Sequence, residues 1–215
     1  MQFPNAYKGI RKVFLAEILV IAASVLAIVS ATLALAIPNP GDGAKVALAA
    51  IAGVSGIIAI VALVFQLIGL GQGGKDNGYL KIAFFIIILS LVLTVTTTIL
   101  ASFFPQYASA YSVLDTISNM ASAVVLVLVI FGISVLASQL NDEKMMNKGR
   151  LLINLIIILF ILLIAINIAT TFIKNPADWW TTFVAVFGII AAILELVIYV
   201  LYLIYLAKAV KMLKK

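Results

Sequence analysis

Apolar residues run in six long stretches along the chain, and short segments rich in glycine, proline, asparagine and charged residues separate them. The stretches cover residues 13–37, 46–70, 82–104, 119–137, 151–173 and 179–206. Each holds roughly 20 residues or more, which is the length that an α-helix needs to cross a ~30 Å hydrocarbon core. The segment 105–118 is more polar and is expected to form a short surface helix on the exterior side. The pattern predicts an all-α protein in which residues 1–215 form a single bundle of six transmembrane helices.

Composition supports a membrane location. Hydrophobic residues make up 65% of the chain, charged residues only 10%, and the mean hydropathy is +1.28. Soluble domains keep about 25% of their residues charged, which lets water wet their surface. This chain has too few polar residues to cover a globule, so we expect its outer surface to face lipid. We place it in the cell membrane as a multi-pass protein, of the kind found in prokaryotic plasma membranes.

Basic residues indicate how the bundle is oriented. Twelve of the fourteen lysines and arginines precede the first helix, follow the last helix or lie in the second and fourth connections. Only Lys45 and Lys174 lie on the opposite side. Cytoplasmic connections carry the excess of lysine and arginine in membrane proteins. Both termini are therefore predicted to be cytoplasmic.

The first apolar stretch has an alternative interpretation. Ala34, Leu35 and Ala36 follow a basic start and an apolar run, as in a cleaved signal peptide. The run is about twice the usual length of a signal core and contains Glu17, so we favour a first transmembrane helix.

Weak internal repetition is visible between the hairpins. Gly9, Gly78 and Gly149 stand before the apolar parts of the odd-numbered helices, and Gly-Ile pairs recur at Gly56, Gly132 and Gly188 in the even-numbered ones. Three helical hairpins around a pseudo-threefold axis would produce such spacing. The restricted alphabet of membrane helices would also produce it by chance, and both explanations stay open.

Several function classes are excluded or disfavoured by the residues that are missing. The chain contains no cysteine and no histidine, the usual nucleophile, base and metal ligands. No cofactor motif is present, and no stacking platform accompanies the basic residues, so neither a cofactor, a metal nor nucleic acid is an expected partner. Gly53-Val54-Ser55-Gly56 resembles the Gly-x-Ser-Gly motif of rhomboid proteases, but no histidine is available to activate Ser55. We therefore predict a helix-packing face there and a protein that is not an enzyme.

Four polar side chains inside apolar stretches are the candidates for a binding site. An ionised side chain at the centre of a bilayer costs about 2.5–3.5 kcal/mol, so such residues normally face protein or water. Glu17 lies roughly 7 Å past Lys12 along a helix. Tyr199, Tyr202 and Tyr205 are interpreted as an aromatic belt at the cytoplasmic interface, which would place Glu195 one turn inside it. At that shared depth we predict an ion- or solute-binding site formed by Glu17, Gln66, Asn154 and Glu195.

A second, weaker polar lining is predicted nearer the exterior, from Thr94, Thr98, Asn167 and Thr170. Hydroxyls in membrane helices usually bond to the carbonyl four residues earlier, which is the structural alternative here. For Glu17, the alternative is that its side chain reaches Arg11 or Lys12, and for the amides it is hydrogen bonding between helices.

Two functions of different classes fit these features. The first is a transporter, a channel or a solute-binding membrane subunit that takes a cation, a proton or a small polar solute. The second is a non-transporting accessory, immunity or assembly protein that forms a closed bundle and binds a membrane protein partner or a second copy. A cavity that reaches the carboxylates and amides would favour the first, and a fully packed interior would favour the second.

The predicted orientation can be tested with single introduced cysteines, because the natural chain has none. We expect Lys75→Cys and Lys144→Cys to stay unlabelled by a membrane-impermeant maleimide in intact cells, while Gly43→Cys is labelled. Permeabilised cells, in which all three should react, provide the control. Labelling of Lys75→Cys without permeabilisation would contradict a cytoplasmic location of the termini.

Overall fold

A computed structural model describes the backbone of residues 2–37, 41–172 and 178–214, with side chains except at positions 105, 108–110, 112, 115, 116, 119, 167–172, 178 and 179. Six long helices account for most of it: α1 (Pro4–Ala36), α2 (Asp42–Gly73), α3 (Gly78–Phe103), α4 (Ala108–Gln139), α5 (Glu143–Phe172) and α6 (Asp178–Leu213). Each contains an apolar span long enough to cross a membrane, and the described segments contain no strand. The predicted bundle of six transmembrane helices is confirmed.

The helices extend past the apolar stretches from which they were predicted. α1 begins at Pro4 rather than at residue 13, and α6 continues to Leu213 rather than ending at residue 206. Residues 108–118 form the first turns of α4 and not a separate surface helix. Hydropathy marks only the part of a helix that lies in hydrocarbon, while its hydrogen-bonded backbone continues into the polar interface. The predicted turn residues 38–40 and 174–177, and residue 173 at the end of the fifth apolar stretch, lie outside the described segments.

The six helices form a closed ring. Each helix packs against its neighbours in the sequence, and α6 packs back against α1. The start of α1, the end of α6 and the α2–α3 and α4–α5 turns lie at one end of the bundle, which we call the terminal end. Asp76 of the α2–α3 turn accepts hydrogen bonds there from Asn5 Nδ2 at 2.9 Å and from the Ala6 backbone N–H at 2.8 Å. The turn thus caps the first turn of α1, whose backbone N–H groups have no partner within the helix.

Backbone contact joins α1 and α2 most closely. A Cβ atom added to Gly9 would overlap the backbone of Gly69 and Gly73, so no larger residue fits at this crossing. Further along the pair, the Ser55 hydroxyl donates to the Ala23 carbonyl at 2.8 Å. Small residues allow close packing of helices in lipid, where burying apolar side chains gains little. α1 and α2 therefore behave as one helical hairpin.

The other helices are joined at the terminal end by polar side chains. Asn77 caps α3 by accepting from the Tyr79 and Leu80 N–H groups, and its Nδ2 donates to the Gly132 carbonyl of α4 at 3.1 Å. The Tyr205 hydroxyl of α6 lies 2.9 Å from Ser134 Oγ of α4. Apolar residues of all six helices fill the space between these contacts. The terminal end of the bundle is closed.

Buried tyrosines correct one prediction from the sequence. Tyr202 and Tyr205 are only 1% and 2% exposed, so their rings lie inside the bundle and do not form an interfacial belt. α6 continues well past them as a helix, and the membrane interface on α6 is not marked by these rings.

The glycines show which predicted packing faces exist. Ser55 is buried as expected, but nothing lies within 4 Å of a Cβ added to Gly53 or Gly56, so these two face open space. The three Gly-Ile pairs also differ, because Gly132 is tightly packed whereas Gly188 is open like Gly56. The structure therefore does not show the pseudo-threefold repeat.

Gly9→Ala is expected to destabilise the bundle by about 1–3 kcal/mol, because the added methyl group forces two helix backbones apart. Gly56→Ala makes the same chemical change, also within a helix, at a position with open space, so it should not destabilise. Reversible unfolding in mixed detergent micelles, followed by circular dichroism, compares the two variants. Equal stability of both would contradict the close crossing of α1 and α2.

Candidate binding site

A polar cavity lies inside the ring, between α1, α2, α3, α4 and α6. We call it the central cavity; its volume is about 470 Å³. Pockets that hold small molecules usually measure about 300–1,000 Å³. Its polar lining consists of one carboxylate, one amide and five hydroxyl groups, from Glu17, Gln66, Ser90, Thr94, Ser118, Ser122 and Tyr202. The remaining lining is aliphatic, so the polar groups are the ones that would orient a bound solute.

Among the described residues, Glu17 is the one acidic side chain in the wall of the central cavity. It is 8% exposed, and the Tyr199 hydroxyl of α6 donates to its Oε2 at 3.0 Å. The alternative pairing with Arg11 or Lys12 is not seen, since the ion pair among the described residues joins Lys45 to Asp42 at the far end. Glu17 therefore brings a carboxylate to the cavity without a basic partner in the described part of the chain.

Glu17 lies in the first turns of the apolar part of α1. It is roughly 20 Å from the start of the helix at Pro4, but only roughly 6 Å past residue 13, where the apolar stretch begins. The expected depth of Glu17, about one turn inside the interface at the terminal end, stays a prediction.

Two further polar groups in the cavity are free to bind a ligand. Gln66 and Tyr202 line the cavity, and neither side chain has a hydrogen bond to a residue that the structure describes. The fully buried oxygen without a partner among the described residues belongs to a different side chain, Gln72. Polar groups in such surroundings are normally hydrogen-bonded, because an unmet hydrogen bond is costly. Water or a polar solute in the cavity would supply the missing partners.

Hydroxyl groups of α3 and α4 form one wall of the central cavity. Ser118 Oγ lies 2.7 Å from Ser90 Oγ and 2.9 Å from Thr94 Oγ1, and Ser122 donates to the Ser118 carbonyl at 3.3 Å. Thr94 was predicted as a lining residue, and the structure places it there. Ser90 and Ser118 were missed, because one is a lone hydroxyl in an apolar run and the other was assigned to the exterior connection.

Thr98 does not line the central cavity. Its hydroxyl donates to the Thr94 carbonyl at 2.8 Å, the internal helix bond that is usual for threonine in membranes. The side chains of Asn167 and Thr170, the other two residues of the predicted secondary lining, lie outside the described part of the structure.

The structure does not bring the four predicted site residues together. Glu17 and Gln66 share the central cavity, but Asn154 is exposed on α5. Glu195 is exposed on α6 and lines a separate groove. Glu17 is level with Tyr199, which is roughly 6 Å farther along α6 than Glu195. The predicted depth of Glu195 depended on the tyrosine belt, and this support is lost with that belt.

The central cavity offers oxygen atoms and no thiolate or imidazole. Carboxylate, hydroxyl and amide oxygens suit hard cations, and they also bind water and polar solutes. No group of three or more acidic, histidine or cysteine side chains is present among the described residues, so a dedicated divalent metal centre has no support there. Comparison of the chain with known protein families, curated proteins and solved structures found no match.

Tyr199→Phe is expected to lower stability by about 1 kcal/mol, because it removes the hydrogen bond to the buried Glu17 carboxylate. Tyr202→Phe is the matched control, since its hydroxyl has no hydrogen-bond partner among the described residues, and it should change stability much less. Unfolding in mixed micelles measures both. If Tyr199→Phe proved as stable as Tyr202→Phe, the bond between α1 and α6 would not contribute to the closed ring.

Proposed function

We propose that this protein is a transporter or channel, or the solute-binding membrane subunit of one, and that a small cation, a proton or a small polar solute occupies the central cavity. The observation that carries the proposal is Glu17, a buried carboxylate on the cavity wall with no basic partner among the described residues. If Glu17 only held helices together as part of an ion pair, a lysine or arginine would lie beside its carboxylate. A carboxylate left open to a polar cavity instead suits a ligand that brings positive charge or a proton.

The lining supports a cation or a polar solute. Gln66 and Tyr202 have unused hydrogen-bonding groups, and the cluster around Ser118 presents hydroxyl oxygens. An ion or solute loses its hydrating water when it binds. The oxygen atoms of these side chains, which come from several helices, would take the place of that water. In this proposal the helices that line the cavity move relative to one another to open it to each side in turn.

The alternative is a non-transporting accessory, immunity or assembly protein. The closed terminal end, with its continuous apolar core, is the feature that favours it. Such a protein needs a stable outer face rather than an interior site, and a large polar cavity would only weaken its packing. We therefore prefer transport, in a cell membrane with both termini in the cytoplasm.

Flux in proteoliposomes tests the proposal. We expect wild-type protein to carry protons, Na⁺, K⁺ or glycerol faster than protein-free vesicles, and Glu17→Gln to reduce that flux at least tenfold by removing the charge from the cavity wall. Glu143→Gln is the matched control, because Glu143 is exposed at the start of α5, and its flux should equal that of wild type. Wild-type flux at the protein-free level for all four probes would exclude the proposed transport of small cations and polar solutes.

A further inference from the structure

A second concave site lies between α4, α5 and α6. We call it the lateral groove; its volume is about 540 Å³. Its walls are almost entirely apolar and include Leu126 of α4, Phe160 of α5 and Ile198 of α6. Glu195 is the one charged side chain among the described residues that line it. The groove therefore combines a hydrophobic surface with a single carboxylate.

Glu195 lies at the middle of α6. The helix has 36 residues, and Glu195 is roughly 26 Å from its start at Asp178. The side chain is exposed and has no hydrogen bond or ion pair with any residue in the described segments. An ionised side chain at this depth is unfavourable against hydrocarbon, so a partner with positive charge would stabilise it.

The size of the groove favours a small molecule over a transmembrane helix. On α5 the lining runs from Ile156 to Leu163, which is roughly 10 Å along the helix axis, and on α6 only from Glu195 to Tyr199. A partner helix that crosses the membrane would need a continuous seam about three times as long. A volume of about 540 Å³ is instead typical of a site for a drug-sized ligand.

The chemistry of the groove favours an organic cation over a metal ion. A metal ion needs several oxygen ligands. Apart from Glu195, the polar groups that the described residues bring to the groove are Ser122 and Tyr199, and the Tyr199 hydroxyl already bonds to Glu17. Lipid acyl chains would fit the walls but could not balance the carboxylate. A cation with apolar substituents matches both the apolar walls and the Glu195 carboxylate. The aromatic ring of Phe160, which also lines the groove, attracts positive charge.

We propose that the lateral groove binds hydrophobic organic cations, such as quaternary phosphonium or ammonium compounds, which reach it from the bilayer and pair with Glu195. Ser122 and Leu126 line both the groove and the central cavity, so the two sites adjoin. The inference goes beyond the proposed function and does not rest on it, because binding in the groove requires no transport through the cavity.

Equilibrium dialysis of tetraphenylphosphonium against the protein in phosphatidylcholine nanodiscs tests this site without any gradient. After subtraction of protein-free discs, we expect one saturable site per chain, and Glu195→Gln should raise its Kd at least tenfold. Ala123→Phe should weaken binding as well, because the added ring fills the groove while leaving the carboxylate in place. This second variant keeps the test decisive if Glu195→Gln folds poorly.

Two matched controls separate charge from hydrophobicity. Glu143→Gln, with its acid outside the apolar span of α5, should bind tetraphenylphosphonium like wild type, and tetraphenylborate, the anion of the same shape, should show no saturable binding. Binding no greater than that of protein-free discs would overturn the proposal. So would a Glu195→Gln variant that binds like wild type, or binding lost in Glu17→Gln but retained in Glu195→Gln, which would place the cation in the central cavity.

Discussion

Inside a bilayer no water is available to a polar group, so each one must find its partner within the protein. This constraint explains how the helices are joined. At the tightest crossing, Gly9 brings two backbones together without any side chain between them, and Ser55 gives its hydrogen bond to a carbonyl of the neighbouring helix. At the terminal end, Asn77 and Tyr205 connect helices in the same way. Apolar packing fills the space around these few contacts.

The same constraint gives meaning to the groups that remain unpartnered. Gln66 and Tyr202 line the central cavity without a bond to any described residue, and Glu195 is exposed on the outer surface. Most interior polar groups of the described residues are paired, so these three side chains are the ones that the proposed ligands would contact. Gln66 and Tyr202 lie near the hydroxyl groups of the central cavity, whereas Glu195 lies among the apolar side chains of the lateral groove. The two sites therefore favour ligands of different character.

Sequence reasoning could predict the helices but not how each one is rotated. Lipid and the bundle interior are both apolar, so a helix such as α6 has no polar face that would show which side packs inward. Tyr202 was assigned to the interface on its usual preference, yet its ring is buried. Glu195 was grouped with Glu17 by depth, but the two side chains line different sites. Glu17 and Gln66 line the same cavity, on helices that pack as neighbours.

Closure of the ring has a consequence for how the chain is made. α1 leaves the ribosome first, but Tyr199, the partner of Glu17, belongs to the last helix. The central cavity also takes one of its walls, Tyr202, from α6. The hydrogen bond between Glu17 and Tyr199 can therefore form only after α6 has been translated. A chain stopped before α6 would keep the α1–α2 hairpin but would lack both this bond and one wall of the central cavity.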